Sequence, residues 1–326
     1  MKLANIFSDN TVFQAEKPMR FFGEGSGVVV ISFNNQSYEK SVEDKWVIEL
    51  PAQPYGGPVD ITVSLNGDKK VLKNIAFGDV YLCAGQSNMQ FMIDEEVDTT
   101  PFNDDEKIRY FVTDRIEKYE GLKSVDGWKV CKVSEVGAWS ALGLHMAQRI
   151  REKKDVYIGL VGCFQGASAI QSWMPERKLD SSVYVPIEER HKDVTDSVYS
   201  QWNGNSDLYK HTFLPIAPFS FNSVIWYQGE SNTSAAEGKV YTQLLSKMID
   251  AWREDLLSEA LPFVVIEICD FDMRDDDEWR AIQACQQEIQ NVKANVKTVT
   301  SKDVCESWQI HPGNKEKLAK KVADVL

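Results

Sequence analysis

Two patterns of apolar residues divide this chain. As far as residue 74, short runs alternate apolar and polar positions. Val28-Val29-Val30-Ile31-Ser32-Phe33 is β-branched, Asn34-Asn35 turns it, and Ser37 to Val42 returns with alternation. Trp46 to Leu50 alternates again. Pro54-Tyr55-Gly56-Gly57-Pro58 interrupts, Val59 to Leu65 resumes, and Asn66-Gly67 makes a hairpin turn into Lys70-Val71-Leu72. Short strands at this spacing predict a small β-sandwich-like antiparallel domain over residues 1–75. From Phe77 the pattern changes. Continuous apolar runs at Val80–Ala84, Val156–Val161, Val224–Tyr227 and Phe263–Ile268 read as strands buried on both faces. Helix-period segments at 139–154, 239–253 and 278–291 separate them. Arg149, Arg151, Lys153 and Lys154 gather where the first of these helices ends, which suits the helix dipole. The alternation predicts an α/β domain over residues 76–326, with a mainly parallel sheet and helices on both faces.

Two stretches fit neither pattern. Residues 176–211 are charged with poor periodicity and read as an excursion over the surface. Asp275-Asp276-Asp277-Glu278 reads as a solvated helix start, not a metal site.

Composition narrows the functions available. The 326 residues carry a formal net charge of −13. That balance argues against nucleic acid and against an anionic membrane surface as partners, because binding phosphates needs an excess of Lys and Arg. No run of 18 apolar residues occurs, so no transmembrane helix is expected. Met1 to Phe7 lacks the apolar core of a signal peptide. The expectation is therefore a cytoplasmic protein, or a periplasmic or secreted one if a signal has been removed. The six cysteines are scattered without a Cys-x-x-Cys pair, which argues against zinc. Cys83, Cys163 and Cys269 lie in apolar runs and read as buried free thiols, in keeping with a reducing compartment.

Candidate chemistry gathers in loops that follow the apolar strands, where open α/β sheets place their sites. Gly85-Gln86-Ser87-Asn88-Met89 closes the first run. A serine hydroxyl there needs a base to become a nucleophile. Only four histidines are available. His145 sits in an amphipathic helix and reads as packing. His191 stands among Glu188, Glu189, Arg190 and Lys192 and reads as solvated surface. His211 has no argument for it. His311 precedes Pro312, which holds its backbone extended, and a helical run follows near Asn314, so it is well placed as a base. Gly162 to Trp173 supplies small residues whose N–H groups could approach a ligand. Gln228-Gly229-Glu230-Ser231-Asn232 is a third polar loop.

Together these stretches resemble the sialate O-acetylesterase family, a branch of the SGNH hydrolase superfamily of serine esterases. The matching segments are Phe7 to Gln14, Gly78 to Met89, Gly166 to Trp173, Trp226 to Asn232 and Ile310 to Lys315, in the family's order. The resemblance implies a β-rich N-terminal domain followed by a flavodoxin-like three-layer α/β/α domain. It implies removal of acetyl groups from carbohydrate hydroxyls, most directly those of sialic acid, without metal or other cofactor. An acetylxylan or other polysaccharide deacetylase, or a weakened carbohydrate-binding homologue, is the alternative. Carried over by position, Ser87 is the nucleophile and His311 the base. The N–H groups of Ser87 and Gly166 and the side-chain amide of Gln228 form the oxyanion hole, with Ala167 where a second glycine is common. Gln86, Asn88, Trp173 and Asn232 are assigned to substrate. The aspartate usual two or three residues before the histidine is missing, since Gln309 and Trp308 stand there. Glu230 is the first candidate to orient His311, then Asp303 and Glu306; a dyad held by a backbone carbonyl is also possible.

Overall fold

A computed structural model describes residues 1–97, 101–117, 121–123, 127–195, 198–274 and 276–326. Its main sheet is built on strands β1 (Asp68–Gly85), β2 (Asp105–Val112), β3 (Lys129–Cys131), β4 (Tyr157–Phe164), β5 (Ser223–Tyr227), β6 (Phe263–Glu267) and β7 (Val296–Thr300), in the spatial order β3-β2-β4-β1-β5-β6-β7. All neighbours in this row are parallel except the edge strand β3. Residues Ile75 to Gly85 of β1 are all buried, as a strand covered on both faces requires.

The N-terminal strands do not stand apart from this sheet. Gln36–Val42, Gly27–Phe33 and Gly56–Leu65 form an antiparallel ladder that continues into β1. Val12–Gln14 pairs parallel with the middle of β1. A second antiparallel sheet joins Lys2–Leu3, Met19–Glu24 and Lys45–Leu50. The boundary expected at residue 75 thus falls inside one 18-residue strand. Aromatic packing also crosses it, with the ring of Phe219 5.4 Å from Phe13 and 6.0 Å from Phe7.

The main helices are α1 (Ala141–Arg151), α2 (Tyr241–Asp255), α3 (Asp277–Val292) and α4 (Glu316–Val325), with α1 packed on α4 and α2 on α3. Ser140 caps α1 by accepting the Gly143 N–H at 3.2 Å. Asp276 caps α3 through the Trp279 N–H at 2.8 Å, so the acidic run is a helix start as read, with Asp275 outside the described residues. Such caps contribute about 1 kcal/mol each. Trp252 of α2 joins helix to sheet. Its ring stacks 4.1 Å from Phe213 and stands edge-on to Trp226 of β5. Its Nε1 donates to the Trp173 carbonyl at 3.0 Å, which ties down the loop that follows β4. All six cysteines are free thiols. Among the described residues no helix is long and apolar enough to cross a membrane.

Candidate active site

Three loops start level with one another. In register, Gly85 of β1 lies between Phe164 of β4 and Tyr227 of β5. The loops after these strands therefore leave the sheet together at its carboxyl edge. Gly85 has φ +138°, and a Cβ there would stand 2.0 Å from the Tyr227 carbonyl oxygen, so only glycine fits. Beyond it, Gln86 donates its backbone N–H to Tyr227 O at 3.0 Å. The chain then coils into the short helical turn Ser87–Gln90, which presents Ser87 half-buried at the edge.

His311 arrives from the other end of the sequence. His311 Nε2 lies 2.7 Å from Ser87 Oγ. Its loop is clamped on both sides. Val97 donates its N–H to Gly313 O at 2.9 Å, and Lys315 N–H reaches Glu96 Oε1 at 2.7 Å. Glu306 accepts the Gly313 N–H. Burial and the nearby Lys315 ammonium hold His311 below the usual histidine range, against an opposing pull from Glu95. That favours the neutral imidazole a general base needs.

Gly166 also reaches Ser87. A Cβ on it would stand 3.7 Å from Ser87 Cβ. Its N–H is held by Gln90 Oε1 at 2.9 Å. The backbone of this loop is fixed from behind, as Trp202 Nε1 donates to Gly166 O at 3.0 Å and Asn203 Nδ2 to Ala167 O at 2.7 Å. Ala167 takes a left-handed φ of 49°, the conformation for which a glycine is the common choice.

Other expected site residues turn out to build the edge rather than face it. Gln228 is fully buried. Its amide nitrogen donates to Gln86 Oε1, Ser168 O and Asn232 Oδ1 at 2.8–3.1 Å, and its oxygen accepts from Tyr241. Both of its N–H donors are committed, so it has none to offer an oxyanion. Gln86 is buried and bridges loops, its Oε1 accepting from Gly229 N and Ser231 N. Trp173 is completely covered, its Nε1 donating to Ser168 Oγ at 2.9 Å. Asn232 is covered too, with its amide spent on Gln171, Glu237, Ile170 and Gln228. These three therefore hold loops in place and present nothing to a substrate.

Asn88 and Glu230 meet each other, not the histidine. Asn88 Nδ2 donates to Glu230 Oε1 at 2.6 Å and to Ile310 O at 2.9 Å, while its Oδ1 accepts from Lys315 Nζ at 2.7 Å. Glu230 touches no atom of His311 by hydrogen bond, and among the described residues no hydrogen bond reaches His311 Nδ1. Asp303 is bound to Lys321 at 2.5 Å, on the surface. Of the three carboxylates considered, only Glu306 touches the loop of the histidine.

Three residues of this site had no place in the sequence reading: Gln90, Glu96 and Lys315. Lys315 was within reach, since it closes the Ile310 to Lys315 motif. Two other histidines are clarified. His191, read as solvated, is buried, with its N–H donated to Glu237 Oε2 and its Nε2 2.9 Å from Arg274 Nη1. His145 packs in α1 as read and pairs with Glu96 at 2.8 Å. Among the described residues, no three His, Cys, Asp or Glu side chains are gathered as ligands for a metal.

Comparison with known proteins gives a consistent picture. A family profile described as "carbohydrate esterase, sialic acid-specific acetylesterase" matches residues 77–325. The sialate O-acetylesterase of Homo sapiens is 26% identical over 232 residues, covering 66% of this chain and 43% of that protein. The sialate O-acetylesterase of Mus musculus is 24% identical over 255 residues, covering 66% and 47%. The chain thus spans less than half the length of these curated relatives. Among solved structures, a carbohydrate acetylesterase from Xanthomonas citri superposes with a TM-score of 0.84 at 24% identity, covering 99% of this chain and 73% of the other. That likeness establishes the α/β fold with its large mixed sheet.

Proposed function

We propose that this chain, which belongs to the family of carbohydrate esterases described as sialic acid-specific acetylesterases, is a carbohydrate O-acetylesterase with Ser87 as nucleophile and His311 as base. The observation that carries this reading is the 2.7 Å contact between Ser87 Oγ and His311 Nε2 at the carboxyl edge of a parallel sheet. In the first step the Ser87 proton passes to His311 Nε2 as Oγ bonds to the acetyl carbonyl carbon. The carbonyl oxygen becomes an oxyanion facing the N–H groups of Ser87 and Gly166, after Gln90 has withdrawn from the latter. Collapse breaks the bond to the sugar oxygen, which takes the proton from His311. Water, activated by the same imidazole, then releases acetate from Ser87.

O-acetylated sialic acid is the substrate favoured by the family description and by the names of the relatives; acetylated xylan and other polysaccharides are the competing substrates. The order β4-β1-β5-β6-β7, which is 2-1-3-4-5 when these five are counted along the chain, supports an SGNH-type, flavodoxin-like layering of residues 76–326. Residues 1–75 are then a β-sandwich-like module fused to that sheet through β1.

The test is hydrolysis of an acetylated aryl ester and of a panel of acetylated sugars by wild type, Ser87→Ala and His311→Ala. Loss of at least about 10³-fold in both variants is expected. Near wild-type turnover in either one would sink the assignment. A serine-directed phosphonate should label wild type and not Ser87→Ala; a wild-type chain that resists labelling is a binder, not an esterase.

A further inference from the structure

A lysine is completely buried four residues beyond the catalytic-site histidine. Lys315 has no solvent exposure. Its ammonium sits 4.6 Å from the ring centre of Phe91 and donates to Asn88 Oδ1 at 2.7 Å. The Phe91 ring in turn lies 6.4 Å from that of His311. Among the described residues no carboxylate touches the ammonium. A partner in charge, Glu230, is also buried and meets it through Asn88, whose amide accepts from Lys315 on one side and donates to Glu230 on the other. The second oxygen of Glu230, Oε2, is buried without a partner.

Burying a charge in this way is costly unless something offsets it. An alkyl residue at 315 would pack against Phe91 at no such cost. The arrangement therefore calls for a reason in the site itself. Two are visible. Asn88 follows Ser87 in the chain, and its second N–H donor reaches Ile310 O, next to His311. The Lys315–Asn88–Glu230 bridge thus ties the backbone of the nucleophile to the backbone of the base. The ammonium is also a cation beside an imidazole that has no carboxylate on its Nδ1.

We propose that Lys315 is a positioning residue of this site: its buried ammonium, acting across Phe91 and balanced by Glu230 through Asn88, holds His311 in the proton-accepting form, in place of an orienting carboxylate. This rests on the esterase reading above and deepens it. The sign is opposite to that of a Ser-His-Asp arrangement. An aspartate favours the imidazolium and stabilises it as it forms; a lysine disfavours it and keeps the base ready at lower pH.

Other charged and titratable groups surround the pair. Glu96 accepts the Lys315 backbone N–H at 2.7 Å and is paired with His145. Cys269 and Cys305 face Lys315, and burial raises both thiols, Cys305 to about 11, so neither supplies a negative charge near neutral pH. Glu306 faces Lys315 from the preceding loop and is engaged with the Gly313 N–H. Glu95, on the exposed turn Ile93–Glu95, faces His311 and pulls it the other way. Burial raises Glu230 and lowers Lys315, and each charge partly supports the other.

Selective ¹³C labelling of histidine gives a readout that needs no turnover, because the chain has only four histidines. His311→Gln assigns the resonance. In Lys315→Met the His311 titration midpoint should rise by about one pH unit, the size of a close like-charge effect. In Glu230→Gln the cation loses its balance and the midpoint should fall, by about half a unit. The acidic limb of kcat/KM should move with the resonance in both variants. Opposite shifts from two substitutions in one bridge are not what loosened packing produces. A His311 midpoint that stays within about 0.2 units of wild type in the folded variants overturns the proposal. If Lys315→Met does not fold, the isosteric Glu230→Gln decides alone. Failure of the esterase reading would show separately, as absence of Ser87-dependent hydrolysis with the titration shifts intact.

Discussion

Gln90 Oε1 accepts the backbone N–H of Gly166 at 2.9 Å, directly beside Ser87. A carbonyl oxygen already sits where the proposed chemistry needs an oxyanion. The resting site is thus self-occupied by one of its own amides. That contact satisfies the Gly166 donor in the resting site, but a substrate must displace it.

The displacement has a measurable cost. A neutral hydrogen bond of this kind contributes about 0.5–1.5 kcal/mol. In Gln90→Ala the Gly166 N–H is free, so KM for an acetyl ester should fall about 2- to 10-fold while kcat stays within about twofold. Steady-state kinetics on a small aryl acetate reads this directly. An unchanged KM would mean that Gln90 is not in the substrate's way.

The pH dependence follows from the surroundings of His311. Burial lowers its affinity for a proton, and Lys315 adds to the effect. As the proposed base, His311 works only when neutral, so activity should rise through a midpoint below the ordinary histidine value of about 6.5. Glu95 pulls directly against this shift. Glu95→Gln keeps an acceptor for the Met92 N–H, now bound at 2.8 Å, and removes the charge. The acidic limb of kcat/KM should then move further down. Because Glu95 is exposed, the difference between the two proteins should shrink at high salt. A limb that moves up in Glu95→Gln would contradict this electrostatic picture.

Some of this was legible in the chain and some was not, for physical reasons. Val80–Ala84, Val224–Tyr227 and Phe263–Ile268 announced themselves because both of their faces are buried, and such strands read as unbroken apolar runs. β2 and β7 escaped. β2 opens with Asp105-Glu106-Lys107 and β7 carries Lys297, since each lies towards a rim of the sheet. β1 reads in sequence as two strands, Lys70–Leu72 and Val80–Ala84, with polar Lys73 and Asn74 between them; Asn74 takes a left-handed φ of 57° without ending the strand. In the site, motif and loop position single out Ser87 and His311, and the structure sets their side chains 2.7 Å apart. The direction of a polar side chain was not. Gln86, Gln228 and Asn232 look like ligands for a substrate in one dimension, and only packing reveals that they satisfy one another. Lys315 and Asn88 are 227 positions apart, a pairing no local pattern carries.

The missing aspartate yields the last prediction. Two acidic residues precede His311 closely enough to have been considered for its place. Asp303 points to the surface and is held below the usual carboxylate range by its contact with Lys321. It has no route to the imidazole, so Asp303→Asn should keep kcat/KM within about twofold of wild type. Glu306 differs. It accepts the N–H of Gly313, two residues past the base, and so fixes the curve of the loop that sets Nε2 against Ser87. Glu306→Ala leaves that N–H without its partner and frees the loop on one side, while Val97 and Glu96 still hold the other. A misplacement of the base by a fraction of an ångström is expected, and kcat should fall about 10- to 100-fold with KM little changed. Glu306→Gln retains an acceptor oxygen and should recover most of the loss, which separates a loop-holding role from a charge acting on His311. If the glutamine variant were as impaired as the alanine one, the carboxylate's charge would be what matters, and Glu306 would take the orienting place that Glu230 does not fill.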